Sequence, residues 1–565
     1  MATLATVGRS EYCRRQLAEM RTLLAYGSHG AVVSPHHLAS SAGLQILREG
    51  GSAVDAAIAA NAVLGVVYGS ACGIGGDAFW LIWDPSVELT LALNGSGKTG
   101  AAADLGTILR FGLQEMPLRG GLSITVPGAV RSWGDAHGRF GKLSRSAVLG
   151  PAIELATDGF PAWDGFIEAV ERIAPVFRTE LGPEAAWFRI YRPNDRPWRA
   201  GERVRLPALA ATLMRIANQG WHDFYDGETA DHQSQALAAA GSFVRISDLR
   251  SHTSIWTEPI STDYRGTQIT THPPNSQGFV ALEMLNILER HEPPPARVFR
   301  RQMGADLRWT HLGIEAAKLA LADRDAYLTD PEAFPTPLQM LLSKDYAAKL
   351  ASMIDPRHAA PPSARWVPAS GGTVWVGAVD GSGLAVSLIE SNYQTFGSGV
   401  VDAVTGIVYQ NRGSFFSLDP KKVNVLGPAK RTLHTLMPGM LLREGQPWAV
   451  LGSMGGDAQP QVIAQVVCAV VDGGLDLASA VAMPRWFAQP ERPLAPPRTV
   501  CAEPRFRPGL LCGLEALGHE VTKTAPFDSL LGHCHGIVLI DGGPARGGTL
   551  AAATDPRSAG LPATW

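Results

Sequence analysis

From Ser34 the chain reads SPHHLASSAGLQILREGGSAVDAAIAANAVLGVV, with small and apolar residues at helical spacing on both sides of Gly50 and Gly51. This pattern predicts two helices broken at that glycine pair. Their alanine and glycine content lets backbones approach closely, which predicts buried helices packed on each other or on a sheet. The next stretch, GIGGDAFWLIWD, passes from a glycine loop into an apolar run ending at Asp84, so a strand should follow. Between about Leu143 and Arg365 helical segments alternate with turns. The clearest runs from Leu307 to Asp323, with Leu312, Ala316, Leu319 and Ala320 on one stripe. That section reads mainly as scaffold.

The texture changes after Pro361 and Pro362, where AlaSerGlyGly at 369 to 372 precedes a β-rich segment. TVWVGAVDGSGLAVSLIES places β-branched and apolar residues on both sides of DGSG, the pattern of two antiparallel strands joined by a tight turn. A hairpin is therefore expected to start at Thr373. No internal repeat of solenoid or propeller period is present.

Length narrows this only a little, since 565 residues suit two to four average domains or one large layered domain with insertions. Hydrophobic residues make up 45% and charged residues 18%, and the 61 glycines and 40 prolines are spread along the chain. That balance argues against disorder. A net charge of -3 without a long basic run disfavours nucleic acid as a partner. No window approaches the roughly 18 consecutive apolar residues of a membrane helix, and the first residues lack the apolar core of a signal peptide. A soluble, cytoplasmic protein is expected. The six cysteines, Cys13, Cys72, Cys468, Cys501, Cys512 and Cys534, have no paired metal-ligand spacing and suit reduced thiols.

A threonine hydroxyl is a weak nucleophile, and one activating device is a free amine on the same residue, available only at a chain N-terminus. An internal threonine must be exposed by cleavage. The bond between Gly372 and Thr373 suits this, because the glycines allow a strained, exposed backbone and the strand behind Thr373 holds its hydroxyl. Taken alone, the three residues are a weak signal and read more readily as a flexible linker entering a strand. Other features carry less chemistry. His533 and His535 share one face of an expected strand without a third metal ligand. His36 and His37 are expected to cap or pack the first helix. The glycines of GIGGD lack the spacing and lysine of a phosphate loop.

The segments GGSAVDAAIAAN, GIGGDAF, TVPGAV, PPNSQGF, EAAKLALADR, GGTVWVGAVDGSGLAVS, FGSGVV, GPAKR, GSMGGDAQPQ and DPRSAG occur in this order, and in order and rough spacing the chain resembles the gamma-glutamyltranspeptidase family over nearly its whole length. The resemblance implies an α/β (α+β) fold, the four-layer αββα sandwich of N-terminal-nucleophile hydrolases. It also implies a precursor cut into residues 1–372 and 373–565, which remain together as a heterodimer, open to further pairing. Thr373 matches the family's nucleophile, Ser391 the second hydroxyl that supports its free amine, and Gly455 and Gly456 the glycine pair whose N–H groups form an oxyanion hole. Neither a metal nor an organic cofactor is required.

The resemblance breaks down where the family grips a glutamyl group. Ser96 stands in place of the arginine that holds the α-carboxylate, Phe415 in place of the acidic residue that holds the amino group, and His434 and Thr435 in place of a serine pair. A polar site rejects ligands that leave its groups unpaired, so losing every partner points to another substrate. LNGSGK, YQTFGSGVVD, QNRGSFFSLDP and LHTLMP look like the branch that contains oxamate amidohydrolase and cephalosporin-acylase-like proteins. Arg412 stands where the family has glutamine and could fork onto a small carboxylate, with Lys98 and His434 as further candidates; a structural salt bridge is the other reading of Arg412. The leading expectation is a self-processing amide hydrolase acting on a small, oxamate-like acyl amide. A gamma-glutamyl hydrolase or transferase with a rebuilt pocket, and an unprocessed, non-catalytic scaffold, are the alternatives.

Overall fold

The computed structural model describes residues 24–300, 304–360, 371–488 and 499–565; Cys13 lies outside them. Two seven-stranded antiparallel sheets form the centre. In the first, neighbours run β1 (Leu24–Gly27), β18 (Thr549–Ala553), β17 (Cys534–Ile540), β13 (Gln446–Ser453), β12 (Gly439–Arg443), β9 (Thr267–Thr271) and β8 (Ile260–Tyr264). In the second they run β19 (Ala563–Thr564), β2 (Ala31–Val33), β10 (Gly371–Val379), β11 (Ala385–Gln394), β3 (Asp77–Asp84), β4 (Leu89–Gly95) and β7 (Ile255–Thr257). Both sheets take strands from either side of the Gly372–Thr373 bond. A small sheet of β14 (Trp486–Ala488), β15 (Thr499–Ala502) and β16 (Glu520–Lys523), and the pair β5 (Phe160–Pro161) and β6 (Arg203–Val204), lie outside the central layers.

Strand alternation builds three hydrophobic layers. Val374, Val376 and Ala378 of β10 face the helices on one side, with Val386 and Leu388 of β11. Trp375 and Val379, with Ile389, Val450, Ile537 and Leu539, fill the space between the sheets. Leu451 of β13 and Cys534 of β17 face a second set of helices. The order of layers is helix, sheet, sheet, helix, the αββα sandwich expected of an N-terminal-nucleophile hydrolase.

The helices at the start of the chain are His37–Arg48 and Ala53–Val67, broken at the glycine pair as the sequence predicts. Every residue of the second is buried, and its start is closed by Ser52 and Asp55, each side chain bonded to the other's backbone N–H. His36 caps the first helix, its Nδ1 accepting from the Leu38 N–H, and stacks on His37. The helix predicted over Leu307 to Asp323 extends to Tyr327. The hairpin begins two residues before Thr373, because Gly371 and Gly372 pair with Gln394 and Tyr393 in the uncut chain. Cys72, Cys468, Cys501 and Cys534 are buried, and no disulfide joins the described cysteines.

Candidate active site

Thr373 sits near the start of β10, where the ladder is irregular. Gly372 pairs with Tyr393 and Val374 with Glu390, so Thr373 faces two residues of β11, Ser391 and Asn392. This bulge turns Ser391 toward Thr373. The Thr373 hydroxyl donates to Ser391 Oγ at 3.1 Å, the Ser391 hydroxyl donates to the Gly372 carbonyl at 2.6 Å, and the Tyr393 N–H donates to Ser391 Oγ at 2.7 Å. One hydroxyl thus orients the threonine and polarises the carbonyl before it. All of this is buried, Thr373 being 1% exposed. The strained glycine backbone expected from the sequence is not found. Gly372 has no positive φ; instead a Cβ there would lie 2.7 Å from Ala71 Cα and 2.8 Å from the Ser70 carbonyl. Close approach of the 70–71 backbone, rather than strain, requires the glycine.

Across the inter-sheet layer, β13 leads through Met454 and Gly455 into the 3-10 turn Gly456–Ala458, against which β10 packs. Gly455 (φ 131°) and Gly456 (φ 56°) occupy conformations that favour glycine. They are the cap and first residue of the turn, so their N–H groups lack partners within it. Gln277 fixes this turn, donating to the Gly456 carbonyl at 3.0 Å and the Thr435 carbonyl at 2.9 Å. Gln277 Oε1 accepts from Arg324 at 3.1 Å, and Arg324 also pairs with Asp457. Two N–H groups held by buried, hydrogen-bonded neighbours are the arrangement that stabilises a developing oxyanion.

Arg412 opens a short 3-10 turn, Arg412–Phe415. It is fully buried. Nη1 donates to Thr435 Oγ1 at 2.7 Å, and the guanidinium lies 4.8 Å from the Tyr393 ring and 5.9 Å from that of Phe415. The two rings pack together, centroids 4.4 Å apart. Nε and Nη2 have no partner among the described residues, and none of the ion pairs there involves Arg412. Its Nε/Nη2 edge is the side that binds a carboxylate in parallel. Burial lowers the guanidinium to about 10, against the pull of Asp77, Tyr393 and Asp457, so it stays charged at neutral pH. The structural salt bridge weighed from the sequence has no partner among the described residues.

The other candidate residues are placed as follows. Thr435 contacts Arg412. His434 is buried beside it with both ring nitrogens engaged: Nε2 meets Asp77 Oδ2 at 3.2 Å and Nδ1 faces the Leu436 N–H at 3.4 Å. Burial first, then Arg412 and His272, hold this imidazole well below its ordinary range. The Ser96 hydroxyl donates to Asn94 Oδ1 at 2.7 Å. Lys98 turns outward to Glu332 at 2.6 Å and does not join the cluster. Asp77, not singled out from the sequence, accepts from the Gly97 and Gly128 N–H groups at 3.2 and 3.1 Å. Burial lifts its carboxyl to about 7, opposed by Arg412 and these two bonds. Tyr393, Gln277, Arg324 and Asp457 were likewise missed. Gln277, Arg324 and Asp457 lie within PPNSQGF, EAAKLALADR and GSMGGDAQPQ, so the signal was present, but nothing in one sequence says that these segments meet.

His311, Glu315 and His519 bring ligand atoms within 4.8 Å of one another. Lys318 already places its ammonium 2.6 Å from Glu315, and the two imidazoles bond to each other at 2.8 Å. The resident cation makes this a buried ion-pair network that also holds the Asp355 and Ala360 carbonyls. No described helix is long and apolar enough to cross a membrane.

A sequence profile of the family described as Gamma-glutamyltranspeptidase matches residues 39–565. The glutathione hydrolase-like YwrD proenzyme of Bacillus subtilis is 38% identical over 540 residues, covering 94% of this chain and 98% of that protein. The oxamate amidohydrolase proenzyme of Klebsiella pneumoniae is 38% identical over 551 residues, covering 95% and 99%. Cephalosporin acylase from Bacillus halodurans superposes with a TM-score of 0.87 at 36% identity, over 96% of this chain and 97% of that one.

Proposed function

Because the chain belongs to the gamma-glutamyltranspeptidase family, and is therefore an amide hydrolase or acylase, we propose that it cuts itself before Thr373 and then cleaves short acyl amides bearing a carboxylate, such as oxamate. The observation that carries this reading is the buried Arg412, whose Nε/Nη2 edge is open. A buried guanidinium with unpaired N–H groups is costly, and a small substrate carboxylate would satisfy both N–H groups at once. Arg412 is linked to the oxyanion turn through Thr435 and Gln277, which supports a role as a charge anchor near the reacting carbonyl. Tyr393 and Phe415 cover the guanidinium with aromatic carbon, a poor setting for the ammonium-and-carboxylate head of a glutamyl group.

The chemistry follows from these groups. In the precursor the Thr373 hydroxyl adds to the Gly372 carbonyl carbon while Ser391 donates to its oxygen; the C–N bond then breaks, the hydroxyl proton passes to the nitrogen that becomes the Thr373 amine, and water hydrolyses the resulting ester to free the Gly372 carboxylate and the Thr373 hydroxyl. That amine takes the hydroxyl proton when Thr373 attacks a substrate amide and returns it to the departing nitrogen. The Gly455 and Gly456 N–H groups receive the oxyanion, and water hydrolyses the ester. The pieces 1–372 and 373–565 would stay together, since both sheets contain strands of each.

Glutathione hydrolysis is the second reading, favoured by the name of the YwrD relative and by glutathione hydrolase proenzymes such as that of Escherichia coli, 31% identical over 551 residues. The processed protein, assayed for ammonia or amine release on oxamate, other short dicarboxylic monoamides and γ-glutamyl amides, separates the two. Higher kcat/KM on the short acidic amides is expected. Equal or better turnover of γ-glutamyl amides restores the second reading, and a single uncut band on a denaturing gel supports an inactive scaffold.

A further inference from the structure

β17 alternates strictly: Cys534 faces the outer helices, while Ile537 and Leu539 point between the sheets. His535 shares their face and stacks on Trp375, centroids 6.4 Å apart and planes within 15°. Trp375 follows Thr373 by two positions on the same face of β10. His533 precedes His535 by two, so alternation puts it on the inter-sheet face at the end where Thr373 stands. The backbone agrees, since the Met454 N–H donates to the His533 carbonyl at 3.0 Å, making His533 the direct neighbour of the Gly455–Gly456 turn. Arg485 pins the preceding Gly532 carbonyl at 2.8 Å. His533 is 3% exposed, and neither ring nitrogen has a hydrogen-bond partner among the described residues. Two orphaned nitrogens on a buried imidazole ask for a partner that the described residues of the uncut chain do not supply.

We infer that His533 is a further positioning residue of the mature site, which accepts a hydrogen bond from the Thr373 amine once cleavage has created it. This rests on the proposed cleavage before Thr373 and not on the choice of acyl substrate. Burial, with Arg485 and Arg557 and against Asp555, lowers the imidazole to about 4, so it is neutral near pH 7 and has a lone pair to offer. The charged groups facing it are Asp555, Arg485 and Arg557, with neutral His535 beside it. An acceptor for the amine favours its protonated form and raises its pKa. Because the amine must be neutral to act as base, losing that acceptor should move the acid limb of the kcat profile to lower pH.

The experiment compares His533→Leu and His533→Gln with wild type on the best amide substrate, whichever that is. Both variants are expected to process fully. His533→Leu should lose about ten- to a hundredfold in kcat with KM little changed, and its acid limb should fall by about half to one pH unit. His533→Gln, which keeps an acceptor, should recover part of both. An unmoved acid limb in His533→Leu overturns the inference, as does a block of processing and turnover alike in His533→Gln, which would mark a structural role. Should His533→Leu not fold, the acid limb of His533→Gln decides, and a wild-type limb with wild-type kcat overturns the inference.

Discussion

The Ser391 hydroxyl donates a 2.6 Å hydrogen bond to the carbonyl oxygen of Gly372 while accepting from Thr373 Oγ1 at 3.1 Å. A single side chain therefore touches both the attacking and the attacked group of the bond proposed to break. Thr373→Ala should leave the chain uncut and inactive, because one hydroxyl serves both steps. Ser391→Ala should slow cutting by about ten- to a hundredfold, the usual worth of a hydrogen bond to developing charge. Ser391→Thr, which keeps the hydroxyl, should cut at a rate near wild type. Time courses on denaturing gels, with N-terminal sequencing of the smaller piece, report all three. A new N-terminus other than Thr373 would remove the proposed nucleophile.

Arg412 is the group on which substrate choice should turn. A charged hydrogen bond contributes roughly 1.5 to 3 kcal/mol, so Arg412→Ala should lower kcat/KM for acidic amides by about ten- to a hundredfold. Self-cleavage, which involves no substrate carboxylate, should proceed in the variant. Arg412→Lys should recover little, since an ammonium cannot present the same planar pair of donors. If Arg412→Ala processes normally and keeps full turnover of acidic amides, the arginine is structural.

Gln277 is expected to act through the oxyanion turn. Its amide ties the Gly456 carbonyl to that of Thr435, and small displacements of oxyanion donors are expensive. Gln277→Leu should lower kcat by about ten- to a hundredfold, with KM changed far less. Steady-state kinetics on the processed variant measure this. A change confined to KM would place Gln277 in substrate binding instead.

Asp77 links the pocket to pH. Burial lifts its carboxyl from 3.8 to about 7, so the folded state holds this proton more tightly than the unfolded chain. Its contribution to stability is therefore greatest below the unfolded value and is lost as pH rises through about 7. Asp77→Asn cannot titrate, so its melting temperature should fall less than that of wild type between about pH 5 and about pH 8. Glu390, lifted by burial to about 8, keeps part of the slope in the variant. Parallel slopes in thermal unfolding would show that Asp77 is ionised throughout.

Local pattern decided much of this protein. The break at Gly50 and Gly51, the strand ending at Asp84 and the DGSG hairpin were legible because periodicity and turn residues act over a few positions. Thr373, Ser391, Gly455 and Gly456 stand as candidates through the motifs that carry them. What tertiary structure alone decided is convergence. Arg412 could be read equally as a salt bridge or a substrate anchor until the fold gave Nη1 to Thr435 and left Nε and Nη2 unpaired beside Tyr393. Lys98 and His434 stand beside Arg412 as further candidates in the sequence, yet one pairs with Glu332 and the other with Asp77. Gly372 was read as a source of backbone freedom, whereas it is the approach of Ala71, some 300 positions away along the chain, that forbids a side chain there. Contacts between residues so far apart follow from how two sheets stack, and that depends on the whole chain at once.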